Sequence, residues 1–207
     1  MAIVQEQFVA ALLENQLAFD LSLDPDKIAA LATYYEFVTT WNKRLHLVAP
    51  CSPAEFAVRH VLESLVLCDY LPENTHLADV GTGAGLPSLP CLIVRDDVRG
   101  NLIEVSRKKV IFLREAALKL NIHHRATVLN VRFESLPSPE YGIATCRALD
   151  KFTEKLPEIA AWGQSAEKMV LFGGEAVRAS LEKLGLPFTE KLLPLSEQRF
   201  LFVVNQQ

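Results

Sequence analysis

The spacing of apolar residues divides the chain in two: through residue 72 they recur with a helical period, and beyond it short apolar runs alternate with helical stretches. Asp24-Pro25 supplies an N-cap and a first-turn proline, and Ile28, Leu31, Ala32, Tyr35 and Val38 follow three or four residues apart. That spacing predicts an amphipathic helix. Ser52-Pro53-Ala54-Glu55 has the form of a capping box, and Ala57, Val61, Leu65 and Cys68 then line one face down to Leu71-Pro72. A further helix is predicted there.

Strand-like runs fall at Leu77 to Val80, Asn101 to Val105, Ala126 to Leu129, Ile143 to Cys146 and Met169 to Phe172, with helical stretches between them. Strands that alternate with helices make βαβ units, so the sheet should be parallel and covered on both faces. Arg199 to Asn205 reads as a last strand, and the run Lys191 to Leu195 before it predicts a terminal antiparallel pair at the sheet edge. The expected fold class is α/β, a Rossmann-like doubly wound sheet with a helical extension over 1–72 and a core over 73–207. With no repeat, low-complexity tract or linker in view, 1–207 is read as one domain.

Composition narrows the setting. Half of the 207 residues are apolar, enough for a sizeable core. Charges or prolines break every apolar run before about 18 residues, and Met1 to Gln7 have no basic segment ahead of an apolar one, so a soluble, cytoplasmic protein is expected. Cys51, Cys68, Cys91 and Cys146 are irregularly spaced without a metal-site pattern and read as reduced, half-buried thiols. A net charge of −4 argues against a protein that coats nucleic acid non-specifically, though a local basic patch is compatible with it.

The most informative segment is Asp79-Val80-Gly81-Thr82-Gly83-Ala84-Gly85-Leu86-Pro87, where the first strand hands over to a helix. Glycines here let the backbone turn sharply and pass close to a ligand. Glycines at 81, 83 and 85, with Leu86 in the sixth position, depart from the dinucleotide pattern G-x-G-x-x-G and favour S-adenosylmethionine over NAD. Glu104, at the end of the second strand, stands where nucleotide-binding sheets place an acid for ribose hydroxyls. The ligand crevice should lie outside the carboxyl ends of the strands, so Phe133, Glu134 and Arg147 are also expected to line it.

Further residues in order along the chain carry a family resemblance. They are Trp41-Asn42-Lys43 with Leu45 and Leu47, Arg59-His60-Val61-Leu62-Glu63-Ser64-Leu65, the glycine turn with Leu86-Pro87 and Pro90, and Ser106-Arg107-Lys108-Lys109 with Phe112-Leu113. Arg132 with Glu134, Arg147-Ala148 and Arg199 complete the series. Together they resemble the ribosomal small-subunit methyltransferase G family, also called glucose-inhibited division protein B. The resemblance implies a class I methyltransferase fold, S-adenosylmethionine as cofactor, and methylation of a guanine N7 in small-subunit (16S) ribosomal RNA. It also implies cofactor contacts at Gly81, Leu86, Phe133, Glu134 and Arg147, beside the turn residues Gly83 and Gly85 and the acid Glu104. Four departures stand out: Glu63 and Glu104 replace the family's usual aspartates, Tyr141-Gly142 replaces an aromatic followed by Asp, and Phe172-Gly173 replaces Lys-Gly.

Guanine N7 bears a free lone pair and no proton, so its methylation needs positioning and exclusion of water rather than a general base. Accordingly no catalytic acid, base or metal ligand is assigned, and His60, His123 and His124 are read as structural. Arg107, Lys108 and Lys109 occupy the first turn of a helix, where the macrodipole disfavours cations. An anionic partner would offset that, so the three, with Lys43, Arg44 and Arg114, are candidate contacts to RNA phosphates. The expected partner is ribosomal RNA, in the small subunit or an assembly intermediate, met by a monomer. Two alternatives stay open: a methyltransferase of the same fold for a small molecule or protein, and a homologue that binds the cofactor without transferring.

Overall fold

A strand buried on both faces must present apolar side chains on both, and the core strands here do so. The computed structural model describes residues 2–205 apart from 138, 140, 141 and 148–151, so Tyr141 and Ala148 lie outside the described residues. Its sheet has the order β3-β2-β1-β4-β5-β7-β6. The strands are β1 (His76–Val80), β2 (Arg99–Ile103), β3 (Ala126–Leu129), β4 (Ile143–Arg147), β5 (Lys168–Gly173), β6 (Phe188–Leu192) and β7 (Phe200–Asn205). The first five pair in parallel, whereas β7 runs antiparallel to β5 and to β6. The class I methyltransferase arrangement, doubly wound with an antiparallel edge, is therefore present as expected.

Successive strand residues feed two cores. Leu77, Leu102, Ile143, Val170, Leu201 and Val203 join one apolar cluster, while Ala78, Val80, Ile103, Ala144, Met169, Leu171 and Phe202 join the other. The second cluster is closed by α7 (Phe152–Gly163) and α8 (Glu175–Lys183) through Leu156, Ile159, Val177 and Leu181. The first is closed by α5 (Ser88–Val94) and α6 (Arg107–Lys119), and beyond them by the helical extension.

That extension comprises α1 (Ala2–Asn15), α2 (Pro25–Leu45), α3 (Pro53–Glu55), a π-helical stretch Phe56–Leu62, α4 (Glu63–Leu65) and a 3-10 turn Val66–Tyr70. Ile28, Leu31, Ala32, Tyr35 and Val38 are buried along α2, as their spacing predicts. The Ser52 hydroxyl accepts from Glu55 N–H at 3.1 Å, so the cap forms. Widening to π geometry after it lets Phe56, Ala57, Val61 and Leu62 all face inward, more than an α-helical face carries. Phe8 stacks on Tyr35 with centroids 4.5 Å apart, which ties α1 to α2.

Two strands lie elsewhere than the apolar runs suggested. The second is Arg99–Ile103 rather than Asn101 to Val105, because its main chain pairs with β1 from Arg99 and leaves the sheet at Glu104. The terminal pair uses Phe188–Leu192, not Lys191 to Leu195: Leu193 turns into the core, and Leu195 is exposed with a positive φ of 58°. Cys91 and Cys146 are fully buried rather than half-buried, whereas Cys51 and Cys68 are half-buried. Among the described residues no helix is long and apolar enough to cross a membrane.

Candidate active site

The strand order reverses between β1 and β4, and a cavity of about 1030 Å³ opens there, at the carboxyl ends of the parallel strands. Its near wall is the glycine turn. Gly81, Gly83 and Gly85 have φ of 67°, 57° and 86°, values that only glycine adopts without strain. Gly81 N–H donates to the Ile103 carbonyl at 2.9 Å, and a Cβ on Gly83 would meet only the Gly81 carbonyl, at 3.7 Å. The space a side chain would fill at 83 is thus left to the cavity. Gly85 does different work: a Cβ there would overlap the Leu89 side chain, so it lets α5 pack against the turn and does not line the cavity.

The turn is pinned from below. Asp79, fully buried at the end of β1, accepts through one oxygen from Thr82 Oγ1 at 2.6 Å and Ser88 Oγ at 2.7 Å, one hydroxyl on the turn and one opening α5. Its other oxygen is buried without a partner. Burial pushes the Asp79 carboxyl up to about 7, although the two hydroxyls favour the ionised form. From the helical extension the Tyr34 hydroxyl, also fully buried, donates to the Ala84 carbonyl at 2.9 Å.

Glu104 faces the turn: its carboxylate accepts from Gly83 N–H at 3.1 Å and from Ser106 N–H at 2.8 Å. Each oxygen keeps a second acceptor position free. Phe133 is buried at the cavity wall, edge-on to Trp162, and Glu134 beside it pairs with Arg132 at 2.9 Å. Of the sites read from sequence, Gly81, Gly83, Leu86, Glu104, Phe133, Glu134, Arg147 and Lys109 line this cavity. Arg107 and Lys108 stand exposed on the first turn of α6 outside it.

On the opposite wall sequence reasoning placed Arg147 but missed the residues that hold it. Glu63, fully buried at the start of α4, accepts from Arg147 Nη2 at 3.1 Å and Arg199 Nε at 2.8 Å. Arg147 also donates to Ser64 Oγ at 3.0 Å and to the Arg59 carbonyl, and its guanidinium lies 5.3 Å from the Phe172 ring centre. His60 packs on Phe56, with its Nδ1 buried and unpartnered. Burial, Arg147 and Arg59 pull its imidazole down to about 4, so it is neutral at physiological pH. These contacts join residues 84 and 136 positions apart, beyond the reach of local patterning.

Comparison with known proteins decides the relationship. The family model for rRNA small subunit methyltransferase G matches residues 27–191. The chain belongs to that family. It is 41% identical over 143 residues to Ribosomal RNA small subunit methyltransferase G of Xanthomonas campestris pv. campestris, covering 69% of this chain and 66% of that one. It is 30% identical over 181 residues to the Halorhodospira halophila protein of the same name, covering 87% and 86%. Among solved structures, a SAM dependent methyltransferase from Aquifex aeolicus superposes with a TM-score of 0.53 at 18% identity, over 74% of this chain and 93% of that one, a likeness of fold.

The residues present fit the S-adenosylmethionine that this methyltransferase family implies. The open turn at Gly83, the carboxylate of Glu104 with acceptor positions to spare, and the apolar face of Phe133 suit an adenosine. Within the family pattern, Glu63 in place of Asp still reaches both arginines, and Phe172 in place of Lys lies under Arg147, buried and apolar.

Proposed function

We propose that this chain methylates N7 of a guanine in small-subunit ribosomal RNA, using S-adenosylmethionine. The observation that carries the reading is that the glycine turn, Glu104 and Arg147 open onto one cavity in a chain of the methyltransferase G family. Bound there, the donor supplies an electrophilic methyl on its sulfonium. The chain's own residues hold and orient: Glu104 takes ribose hydroxyls, Gly81 and Gly83 let the backbone close on the ligand, Leu86 and Phe133 exclude water. Arg147, fixed by Glu63, Ser64 and the Arg59 carbonyl, keeps the helical wall at its place. N7 carries no proton, so no side chain needs to remove one, and approach along the line of the breaking bond supplies the rate enhancement. His60, neutral and with its Nδ1 buried, has no role as base in this scheme.

A pocket for one drug-sized ligand is about 300–1,000 Å³. At about 1030 Å³ this one holds the donor with room for a base beside it. Action as a monomer is part of the proposal, and a ribosomal RNA substrate supports a cytoplasmic setting. The test is to incubate the protein with methyl-labelled donor and intact small subunits lacking the modification, then separate RNA from protein. Label in the RNA supports the reading; label in ribosomal protein, or cofactor binding with no transfer, refutes it.

A further inference from the structure

The outward face of α1 carries apolar side chains where a solvated helix would carry polar ones. Phe8, Ala11 and Leu12 turn inward, and Phe8 packs on Tyr35 and Phe56. Glu6, Ala10, Leu13 and Leu17, three or four residues apart, form an exposed stripe that runs from α1 into the 3-10 turn Gln16–Phe19. Leu13 is 49% exposed, and Leu17, at 77%, is the most exposed large apolar side chain among the described residues. None of the four lines the cavity.

The charge around the stripe has one sign. Residues 1–26 hold five acids, Glu6, Glu14, Asp20, Asp24 and Asp26, and no lysine, arginine or histidine, which leaves 20 acids against 21 bases in the rest of the chain. The net charge of −4 therefore comes from this segment. All five acids are exposed, and none is ion-paired among the described residues. An apolar stripe with a polar rim marks an interaction surface, and the sign of the rim selects the partner. RNA phosphates and anionic lipid headgroups are repelled, and a second copy that set the same face against this one would double the acids. What fits is a cationic segment with an apolar side of its own.

Such segments lie beside the proposed substrate. Proteins bound to ribosomal RNA neutralise its phosphates with lysine and arginine, so they are cationic. The helix is also placed to meet one without filling the cavity. Phe8 reaches Phe56, with centroids 6.1 Å apart, and Phe56 packs on His60, which lines the cavity. A protein seated on α1 thus stands behind the helical wall. We propose that the outward face of α1 docks a cationic amphipathic segment of a protein bound to small-subunit ribosomal RNA. Leu13 and Leu17 are its apolar anchors, and the acids around them select the cationic partner.

The docking face rests on the proposed ribosomal substrate, and its test separates the two. Affinity of the full chain is measured for intact small subunits lacking the modification, and for RNA stripped of protein from the same subunits. Leu13→Gln with Leu17→Gln removes the anchors at constant charge, and Glu6→Gln with Glu14→Gln removes two of the acids. Leu118→Gln with Leu184→Gln, a control, changes two exposed leucines on α6 and just after α8. Glutamine favours the helix at exposed positions, and unchanged thermal unfolding checks that each variant folds. Two contacts made at once bind more tightly than either alone, so the parent should bind intact subunits at least about tenfold more tightly than stripped RNA. Each α1 variant should lose most of that margin and keep the parent's affinity for stripped RNA; the control should keep both. Unchanged subunit affinity in the α1 variants, an equal loss in the control, or an equal loss toward stripped RNA overturns the docking face. So does a parent dimer in sedimentation that the leucine variant dissolves, since a second copy would then cover the stripe. Methyl transfer is read in the same samples. Transfer to RNA by a parent whose α1 variants bind subunits unchanged refutes the docking and leaves the activity standing; an α1-dependent margin without transfer refutes the activity and leaves the docking.

Discussion

At the scale of single residues, Asp79 makes the sharpest statement about pH. Burial lifts its folded carboxyl to about 7, above the 3.8 usual for an aspartate, so the native state favours the protonated acid. Its contribution to stability is then fully present below about pH 4 and is lost as pH rises through 7. Asp79→Asn keeps an oxygen for Thr82 and Ser88 and removes the titration. Thermal unfolding at pH 5 and pH 8 should show the variant gaining on the parent at the higher pH; a constant difference would mean that Asp79 is ionised throughout. Gly85→Ala tests the turn itself. At φ 86° and against Leu89, the added methyl should destabilise the protein by about 2 kcal/mol and weaken cofactor binding, measured by denaturant unfolding and by titration. Phe172→Lys, which would put back the lysine usual in the family, sets a second cation beside Arg147 with no new carboxylate. A loss of about 2 kcal/mol in denaturant unfolding is expected, with Phe172→Leu less affected.

At the scale of elements, the periodic parts were legible and the polar ties between them were not. Helix α2 and strands β1, β4 and β5 follow their apolar patterns, since each is buried along a full face or on both, and β3, an edge strand buried only at Ala126, still falls where its run suggested. Strand β6 is an edge strand with no buried residue, Thr189, Glu190 and Leu192 being exposed, so its pattern is weak, and the stronger Leu192-Leu193 run beside it misplaces the terminal pair by three residues. The cavity wall made by the glycine turn and Glu104 was legible because these residues are local to β1 and β2. Arg147 was placed at the crevice, but its ties to Glu63 and through it to Arg199 were not legible, since they form only when helix and sheet meet. Tyr34 is the same kind of tie. Tyr34→Phe keeps the ring and leaves the Ala84 carbonyl buried without its donor, a loss of about 1–2 kcal/mol. It should raise the Kd for S-adenosylmethionine several-fold with kcat little changed; equal Kd for parent and variant would mean that the turn holds its shape unaided.

At the scale of the molecule, the helical extension and the sheet share a core. One apolar cluster runs from Phe8 and Leu12 through Leu31 and Phe56 to Leu77 and Val170, and polar ties cross the same boundary at Tyr34, Glu63 and Ser64. We infer that 1–207 unfolds as one unit, so calorimetry should show a single transition, and two resolved transitions would contradict it. The same union gives the cavity its two walls, one from the glycine turn and sheet and one from the helical extension. The most direct test of this reading is nucleoside analysis of small-subunit RNA taken from a strain lacking the modification and treated with the protein and S-adenosylmethionine. One 7-methylguanosine gained per RNA molecule is the expected result; methylation at another position or on another base, or none while the cofactor binds, would contradict it.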